Sequence, residues 1–568
     1  MSIAAGSPAG IHHAQPGKVG RKVEQTRQTW RAGCVWTALC VHVEASIRQP
    51  GEYFAAIWWR LVGKRLRSRA RLAPLIGSSG WAYDLWLCRQ AVRMPAAQAP
   101  AATAKPRLLV VAIVESLNDP VALDATLRSL KAEHVQTIVL GNMHVEGAKV
   151  VPSLTEAWAS IAWEENPWVM PLAAGDVLES GAVALYEAAL VQSPAALAYA
   201  DDDLMDSKGR RRTPHFKPDW NGELFRHYDY VSGTAIMRAD RDDFPLLLGR
   251  HDWVRVLVEK AGRGAAPVHV REVLHHRRER PQPNWPARPG KLEGHFPSVS
   301  VIVPTRNRAD LLETCLNGLD ATNYPDLEII VVDNDSDDPA ALAYLDSLDP
   351  ARFRVLRHEG PFNFSSINNR AAAIARGQVL CLLNNDVEML EPDWLDIMVQ
   401  QSLRDDVGAV GAQLLYPDGR IQHAGVVLGV VGGAAHAHRL LSPEAEGYFW
   451  RHNLPQYVSA VTAACLVVQR DRFEAVGGFN EESFAVAFND VDLCLRLNQR
   501  GWQSFYEPRA QLVHHESVSR GFDRDRIAAE RFAGELEALR RNWSTDAIID
   551  PFHHPNLSPY SERFVVNL

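Results

Sequence analysis

Three short polar clusters, Arg306-Asn307, Asp333-Asn334-Asp335 and Asn384-Asn385-Asp386, each follow a run of apolar, β-forming residues. The runs are SVSVIVPT, LEIIVVD and VLCLL, and the stretches after the first two carry helical spacing. Such alternation predicts α/β layers with parallel strands. In open sheets of this kind ligands bind outside the carboxyl ends of the strands, so three polar strand ends predict one shared crevice. Turn chemistry explains one such cluster, but hardly all three. Asp386 ends an otherwise apolar strand and suits a hard divalent cation, Mg2+ or Mn2+. Such ions take carboxylate, water and phosphate oxygens, with imidazole acceptable to Mn2+. The cation would neutralise charge developing on a phosphate leaving group. Further on, Asn489, Asp490 and Asp492 open a helical pattern. A helix dipole favours a carboxylate there, and Asp490 has the type and place of a general base. Taken alone, Asp490 reads first as a capping or first-turn carboxylate.

Holding these groups requires a scaffold, and 568 residues at 46% hydrophobic and 23% charged supply one. That length accommodates roughly three or four domains, each large enough to bury a core. A net charge of −8 and a pI near 6.2 give no reason to expect nucleic-acid binding. The seven cysteines are scattered, without a CxxC pair, which argues against a disulfide framework or zinc knuckle and suits a reducing cytoplasm. No secretory signal is legible, and no apolar run reaches the ~20 residues a spanning helix needs, so the chain reads as soluble.

Composition breaks at 94–106 (Ala/Pro linker), at 277–294 (proline and charge) and after 521. They divide the chain into a basic helical extension (1–105), an α/β region (106–280), a second α/β region (295–523), and a C-terminal helix from 524 with an irregular tail to 568. The extension holds 15 Lys/Arg against 4 Asp/Glu. Within it, residues 53–72 join an aromatic-apolar start to a dense basic end. As one helix they could lie on an anionic membrane surface, with Trp58 and Trp59 at headgroup level. Packing on the neighbouring domain with solvated arginines is the competing reading.

The segments VIVPTRNR, VVDNDS, LLNNDVE, AVTAACLVVQR, VGGFNEESFAVAFNDVDLCLRL and LVHHESVSRG, in this order, resemble family-2 glycosyltransferases of the GT-A fold. PFNFSSINNRAA and IQHAGVVLG narrow the likeness to bacterial transferases of the rhamnosyltransferase type, which build O-antigen and related surface polysaccharides. The resemblance covers 297–521. It implies an inverting transfer from a nucleotide-sugar donor to a glycan or lipid-linked glycan acceptor. The expected location is the cytoplasm, with peripheral contact at the cytoplasmic face of the inner membrane as the option that residues 53–72 leave open. Pro304, Thr305, Asn307, Asp333 and Asp335 then lie on the nucleoside side, with Arg370 nearby. Asn384, Asn385 and Asp386 stand where the family has Asp-x-Asp. The first acid is Asn, which leaves Asp386 as the principal metal ligand. His514 takes the family's histidine position, five residues before Ser519, with His515 as competitor, and Asp490 matches the base. The glycine-rich stretch 423–438 is expected on the acceptor side, its His423, His436 and His438 being structural or acceptor contacts rather than ligands.

Residues 106–280 resemble the same family as a worn copy. YADDDLMDSKGRRRTPHFKPDW and LHHRRER fit the first domain of tandem members, and Asp252 falls near the base position. The donor-side acids are gone: AIVESLN, Gly141-Asn142 and AAGD leave Asp176 alone. The expected architecture is therefore two GT-A (Rossmann-like, mainly parallel) domains in tandem behind a helical extension, the first of them inactive. DDDLMD (201–206) could bind a cation, but reads first as a solvated acidic turn. The alternatives are a bifunctional transferase with two active sites, or a non-catalytic glycan-binding or assembly scaffold disabled at Asn384.

Overall fold

The computed structural model describes residues 17–93, 108–117, 119–142, 145–292, 294, 296–515 and 526–568. The linker at 94–106, Asn118, and the 516–521 end of the last motif with Ser519 lie outside the described residues. Four helices come first: α1 (Gly17–Arg48), α2 (Pro50–Leu61), α3 (Arg65–Gly77) and α4 (Ala82–Arg93). Residues 53–72 are therefore not one helix. Gly63 takes φ +79°, open to glycine because it has no Cβ, and the chain turns there so that α3 packs against α2.

Strands β1 (Val110–Glu115), β2 (Gln136–Leu140), β3 (Lys149–Val151), β4 (Trp168–Ala173) and β5 (Val177–Leu178) begin the first sheet. It is completed by β6 (Leu197–Met205), β7 (Arg211–His215), β8 (Ala235–Arg238) and β9 (Val268–Arg277). The second sheet begins with β10 (Val299–Thr305), β11 (Leu327–Asp333), β12 (Phe353–Arg357), β13 (Val379–Leu383) and β14 (Val387–Met389). It continues with β15 (Val407–Leu415) and β16 (Ile421–His423). A separate hairpin, β17 (Val426–Leu428) and β18 (Ala434–His436), precedes the closing strands β19 (Gln456–Val458), β20 (Cys465–Gln469) and β21 (Gln503–His514).

The two sheets repeat one topology. The first runs β3-β2-β1-β4-β8-β6-β9-β5, with β7 on β6; the second runs β12-β11-β10-β13-β20-β15-β21-β14, with β16 on β15. In each, the first four strands are parallel, the fifth is antiparallel to both neighbours, and the last is antiparallel to a long strand that ends in histidine-rich sequence. The second sheet is covered on both faces. Ile302 of β10 joins one buried cluster, while Val299, Val301 and Val303 join the other, which is why that strand reads as uninterrupted apolar sequence.

The acidic run 201–203 corrects the expectation of a solvated turn: Asp201, Asp202 and Asp203 lie on β6, each at most 1% exposed. Buried carboxylates persist only when paired. Asp202 pairs with Lys217 at 2.8 Å and with Arg280. Asp203 takes His276 Nδ1 at 2.7 Å and the Tyr83 hydroxyl of α4 at 2.7 Å, so it fastens the helical extension to this sheet. Asp201 meets His269 Nε2 at 3.0 Å and His554 Nε2 at 2.9 Å. These three have the spacing of a metal set. Proton placement argues instead for a hydrogen-bonded lock in which both imidazoles donate to Asp201. His554 Nδ1 accepts the Asn556 N–H at 3.0 Å, so its proton sits on Nε2, facing Asp201. His269 has a carboxylate on each nitrogen, Asp219 and Asp201, as an imidazolium does.

His554 belongs to the tail after the last helix (Arg526–Trp543), and that tail is irregular but partly buried. It threads between the sheets: Asp550 accepts from Leu428 N and Ser459 Oγ, Pro551 O from Asp219 N, and Glu562 O from His438 N. Burial alone would raise the Asp201 carboxyl, but the His554 and His269 imidazoles outweigh it and hold it below the usual range. Burial would likewise lower His269, but Asp201 and Asp219 hold it above its usual value. His269 therefore stabilises fully below the ordinary imidazole pKa and loses this as pH rises through its raised value. Asp201 stabilises above the ordinary carboxylate pKa and loses this as pH falls through its depressed one. His554→Ala should lower the free energy of unfolding by on the order of 3 kcal/mol, because it leaves the buried Asp201 carboxylate short of a partner. A denaturant titration showing wild-type stability would contradict the lock.

Candidate active site

β10 lies between β11 and β13, so their carboxyl ends open side by side. Thr305 is in register with Asp333, and Asn385 Nδ2 donates to Thr305 Oγ1 at 3.0 Å, which joins the first and third polar clusters. Asp333 Oδ1 accepts the Ser336 N–H at 3.1 Å, and Arg357 stands 3.7 Å from its other oxygen. Asn307 is held in the left-handed region (φ +53°), and both ends of its amide are occupied. Its Nδ2 donates to Asp337 at 2.8 Å, and its Oδ1 accepts from Asp337 N and Asp338 N, each at 3.0 Å. Asn307 therefore clamps the first strand end to the second. Pro304 is half-buried within β10, while Asp335 and Arg370 are exposed, the latter on the helix Phe364–Ala372.

The antiparallel pair β14–β21 puts Val387 opposite His514, and this brings Asp386 beside the imidazole. His514 Nε2 is 3.1 Å from Asp386 Oδ1 and 3.4 Å from Asn384 Nδ2. Its Nδ1 meets Gln422 Oε1 at 2.7 Å. That oxygen only accepts, so the ring proton sits on Nδ1 and the Nε2 lone pair faces the carboxylate. A proton or a cation between the two would satisfy the 3.1 Å contact, and an oriented imidazole with a carboxylate is a donor set that fits Mn2+ or Mg2+. His515 points elsewhere, to Glu388 at 2.9 Å.

Three polar side chains begin the helix Asn489–Gln499, and two are committed. Asn489 Nδ2 donates to Val486 O at 3.0 Å, and Asp492 takes Arg496 at 2.8 Å and the Trp543 indole at 2.9 Å. Asp490 is half-buried and accepts only from backbone in its hydrogen bonds: Ala463 N–H at 3.1 Å and Val491 N–H at 2.8 Å. The next residue of that loop, Ala464, accepts the Asn384 N–H at 2.9 Å. Asp490 and the Asn384-Asn385-Asp386 cluster are thus anchored to adjacent peptide groups.

Sequence reasoning missed three contributors. Gln422 orients His514 from β16. Glu535 is buried and accepts Val486 N–H at 2.8 Å and Ala487 N–H at 3.1 Å, fixing the loop before Asp490. Asn334 is 2% exposed, and neither its amide nitrogen nor its amide oxygen has a partner among the described residues. Only Asn334 carried a local signal, since it stands inside a polar strand end. In the stretch 423–438 the histidines include a structural one. His423 is fully buried against His436 (3.0 Å), burial holds its imidazole well below the usual value, and the β17–β18 hairpin receives Asp550 from the tail.

The first sheet offers a direct contrast. Val177 pairs with His276 as Val387 does with His514, so Asp176 and His276 are the topological counterparts of Asp386 and His514. His276 turns instead to Asp203 and to Glu179 (3.3 Å). Asp176 has Arg277 at 3.7 Å and the Arg278 N–H at 3.1 Å, and burial pushes its carboxyl up to about 6. Asp252, at the start of the helix Trp253–Ala261, is paired with Arg250 at 2.6 Å.

The second sheet domain is thus a doubly covered α/β sheet with a carboxylate and an imidazole at its strand ends and a helix-start carboxylate tied to them through the 463–464 loop. Residues 300–451 match the family Glycosyl transferase family 2, so the second sheet domain carries a domain of that family. An uncharacterized protein of Sinorhizobium fredii is 37% identical over 69% of this chain and 48% of its own length. An O-antigen biosynthesis protein of Myxococcus xanthus is 36% identical over 68% of this chain and 33% of its own length. The chain thus spans half or less of these two relatives. An N-acetylglucosaminyl-diphospho-decaprenol L-rhamnosyltransferase of Mycobacterium tuberculosis is 27% identical over 40% of this chain and 78% of its own length. A mannosyltransferase from Pyrobaculum calidifontis, solved with GDP-Man and Mn2+, overlaps 48% of this chain and 70% of its own at 20% identity and a TM-score of 0.34, a partial likeness.

If Gln422 orients His514, Gln422→Leu should weaken Mn2+-supported nucleoside diphosphate binding about 10–100-fold, the usual cost of losing a partner behind a ligand. Calorimetric titration with unchanged affinity would remove Gln422 from the site.

Proposed function

We propose that residues 297–521 form a metal-dependent, inverting glycosyltransferase that moves a sugar from a nucleotide-sugar donor to a glycan or lipid-linked glycan in the synthesis of a cell-surface polysaccharide. The observation that carries this reading is the oriented Asp386–His514 pair, tied through the 463–464 loop to Asp490. The O-antigen and rhamnosyltransferase relatives support the pathway class, and rhamnose is the first donor sugar to try.

Asp386 and His514 would hold the divalent metal, which when bound neutralises charge on the diphosphate as a Lewis acid. Thr305, Asp333 and the unpartnered Asn334 amide line the nucleoside side, where a base or ribose would satisfy that amide. Asp490 takes the proton of the acceptor hydroxyl. The freed oxygen attacks the anomeric carbon opposite the diphosphate, the glycosidic bond to the diphosphate breaks, and the configuration inverts. Glu535 holds the loop that sets where Asp490 stands.

The first sheet domain is read as a non-catalytic partner. Its Asp176 faces arginine rather than an oriented imidazole, and its His276 is spent on Asp203 and Glu179. This disfavours the bifunctional reading, and the intact Asp386–His514 pair disfavours the pure scaffold. No helix among the described residues is long and apolar enough to cross a membrane, so contact with the inner-membrane surface would be peripheral.

A positioned base contributes on the order of 10²–10⁴ in rate. Asp490→Asn should therefore cut sugar transfer by about that factor while leaving donor affinity unchanged. Release of nucleoside diphosphate in the presence of acceptor, measured beside donor binding, checks this. Undiminished turnover would remove Asp490 from the mechanism.

A further inference from the structure

The helical extension carries a concentration of exposed apolar side chains that its own fold does not explain. Of the 24 large hydrophobic residues exposed among those described, eleven lie between Val35 and Trp81. They follow helical spacing. On α1, Val35, Leu39, Val43 and Ile47 recur every four residues, each at least 47% exposed, while Thr37, Val41 and Ala45 on the opposite side are buried. On α2, Phe54, Trp58 and Leu61 form a second exposed row at 63%, 61% and 75%. Contiguous apolar surface of this kind marks an interaction site.

Charge identifies the partner. The α2–α3 hairpin, residues 50–77, holds six Lys/Arg and one acid, Glu52, which Arg71 neutralises at 2.6 Å. Arg60, Lys64, Arg65 and Arg67 are exposed around the apolar row, and Lys64 and Arg67 lie over the Trp59 ring at 5.1 and 5.4 Å. Beside them a cavity of about 370 Å3 joins Arg60 and Arg69 to a floor that includes Leu72, Ile76 and Val566. Cations over apolar walls suit an acyl chain ending in phosphate. A second copy of this face would set the same cations against each other, and the remainder of the chain is acidic.

We infer that α1–α3 dock this protein onto an anionic lipid bilayer, with Trp36, Phe54, Trp58 and Leu61 entering the headgroup boundary and the hairpin cations meeting lipid phosphates. The acidic sheet domains are repelled by the same surface, which orients the molecule with its extension down. This deepens the peripheral-membrane part of the proposed function and rests on it. It is independent of the catalytic assignment.

The test is flotation of the full chain with vesicles of phosphatidylcholine alone and of an equal mixture with phosphatidylglycerol. Binding should appear with the mixture, be at least tenfold weaker with phosphatidylcholine alone, and fall as salt screens the charges. Trp58→Glu with Leu61→Glu should reduce it at least tenfold, as should Lys64→Glu with Arg65→Glu. These positions are exposed, so circular dichroism and nucleoside diphosphate binding should match wild type. That second readout separates a failure here from a failure of the transferase reading. No binding to the mixture, binding indifferent to the variants, or self-association that the glutamates dissolve without any vesicle binding would each overturn the proposal.

Discussion

Asp386 and His514 are 128 residues apart in the chain, and a three-residue strand brings them together. β14 is short, edge-placed and antiparallel to β21, and its first residue sits opposite His514. Everything at the candidate site depends on that register. A one-residue slip would turn β21 over and offer His515, whose side chain now faces Glu388. Gln422 then fixes which imidazole nitrogen faces the carboxylate. The 463–464 loop carries the arrangement on to Asp490, since one of its peptides accepts from Asn384 and the other donates to Asp490.

The same topology built twice shows how little must change to lose this. The first sheet keeps the edge strand and the histidine opposite it. There the imidazole is drawn to Asp203, and arginine stands beside Asp176. The buried carboxylates of β6 have become structural: they fasten the helical extension through Tyr83 and the C-terminal tail through His554. A strand that in the second domain runs past the Asp386–His514 pair serves, in the first, as the anchor point for helix α4 and the C-terminal tail.

Much of the second sheet was legible because its strands are buried on both faces and read as plain apolar runs ending in polar residues. Thr305, Asp333 and Asp386 could be placed at neighbouring strand ends on that basis alone. The choice between His514 and His515 could not be made, because consecutive strand residues face opposite ways and only the partner strand says which way is in. Gln422 and Glu535 were invisible for a related reason: each acts on a residue more than 45 positions away, with no local pattern to mark it. The acidic run 201–203 was misjudged because its cations, Lys217, Arg280, His269 and His554, come from distant segments. The break in 53–72 turned on Gly63, a single residue whose positive φ ends one helix and starts the next.

The central claim is that the chain has one metal-dependent donor site, in its second sheet domain. Titrating the full chain with a nucleoside diphosphate, with and without Mn2+, tests this most directly. The account predicts one site per chain that needs the metal and disappears in Asp386→Ala. Two sites, or binding that is equally tight without Mn2+ and survives Asp386→Ala, would contradict it.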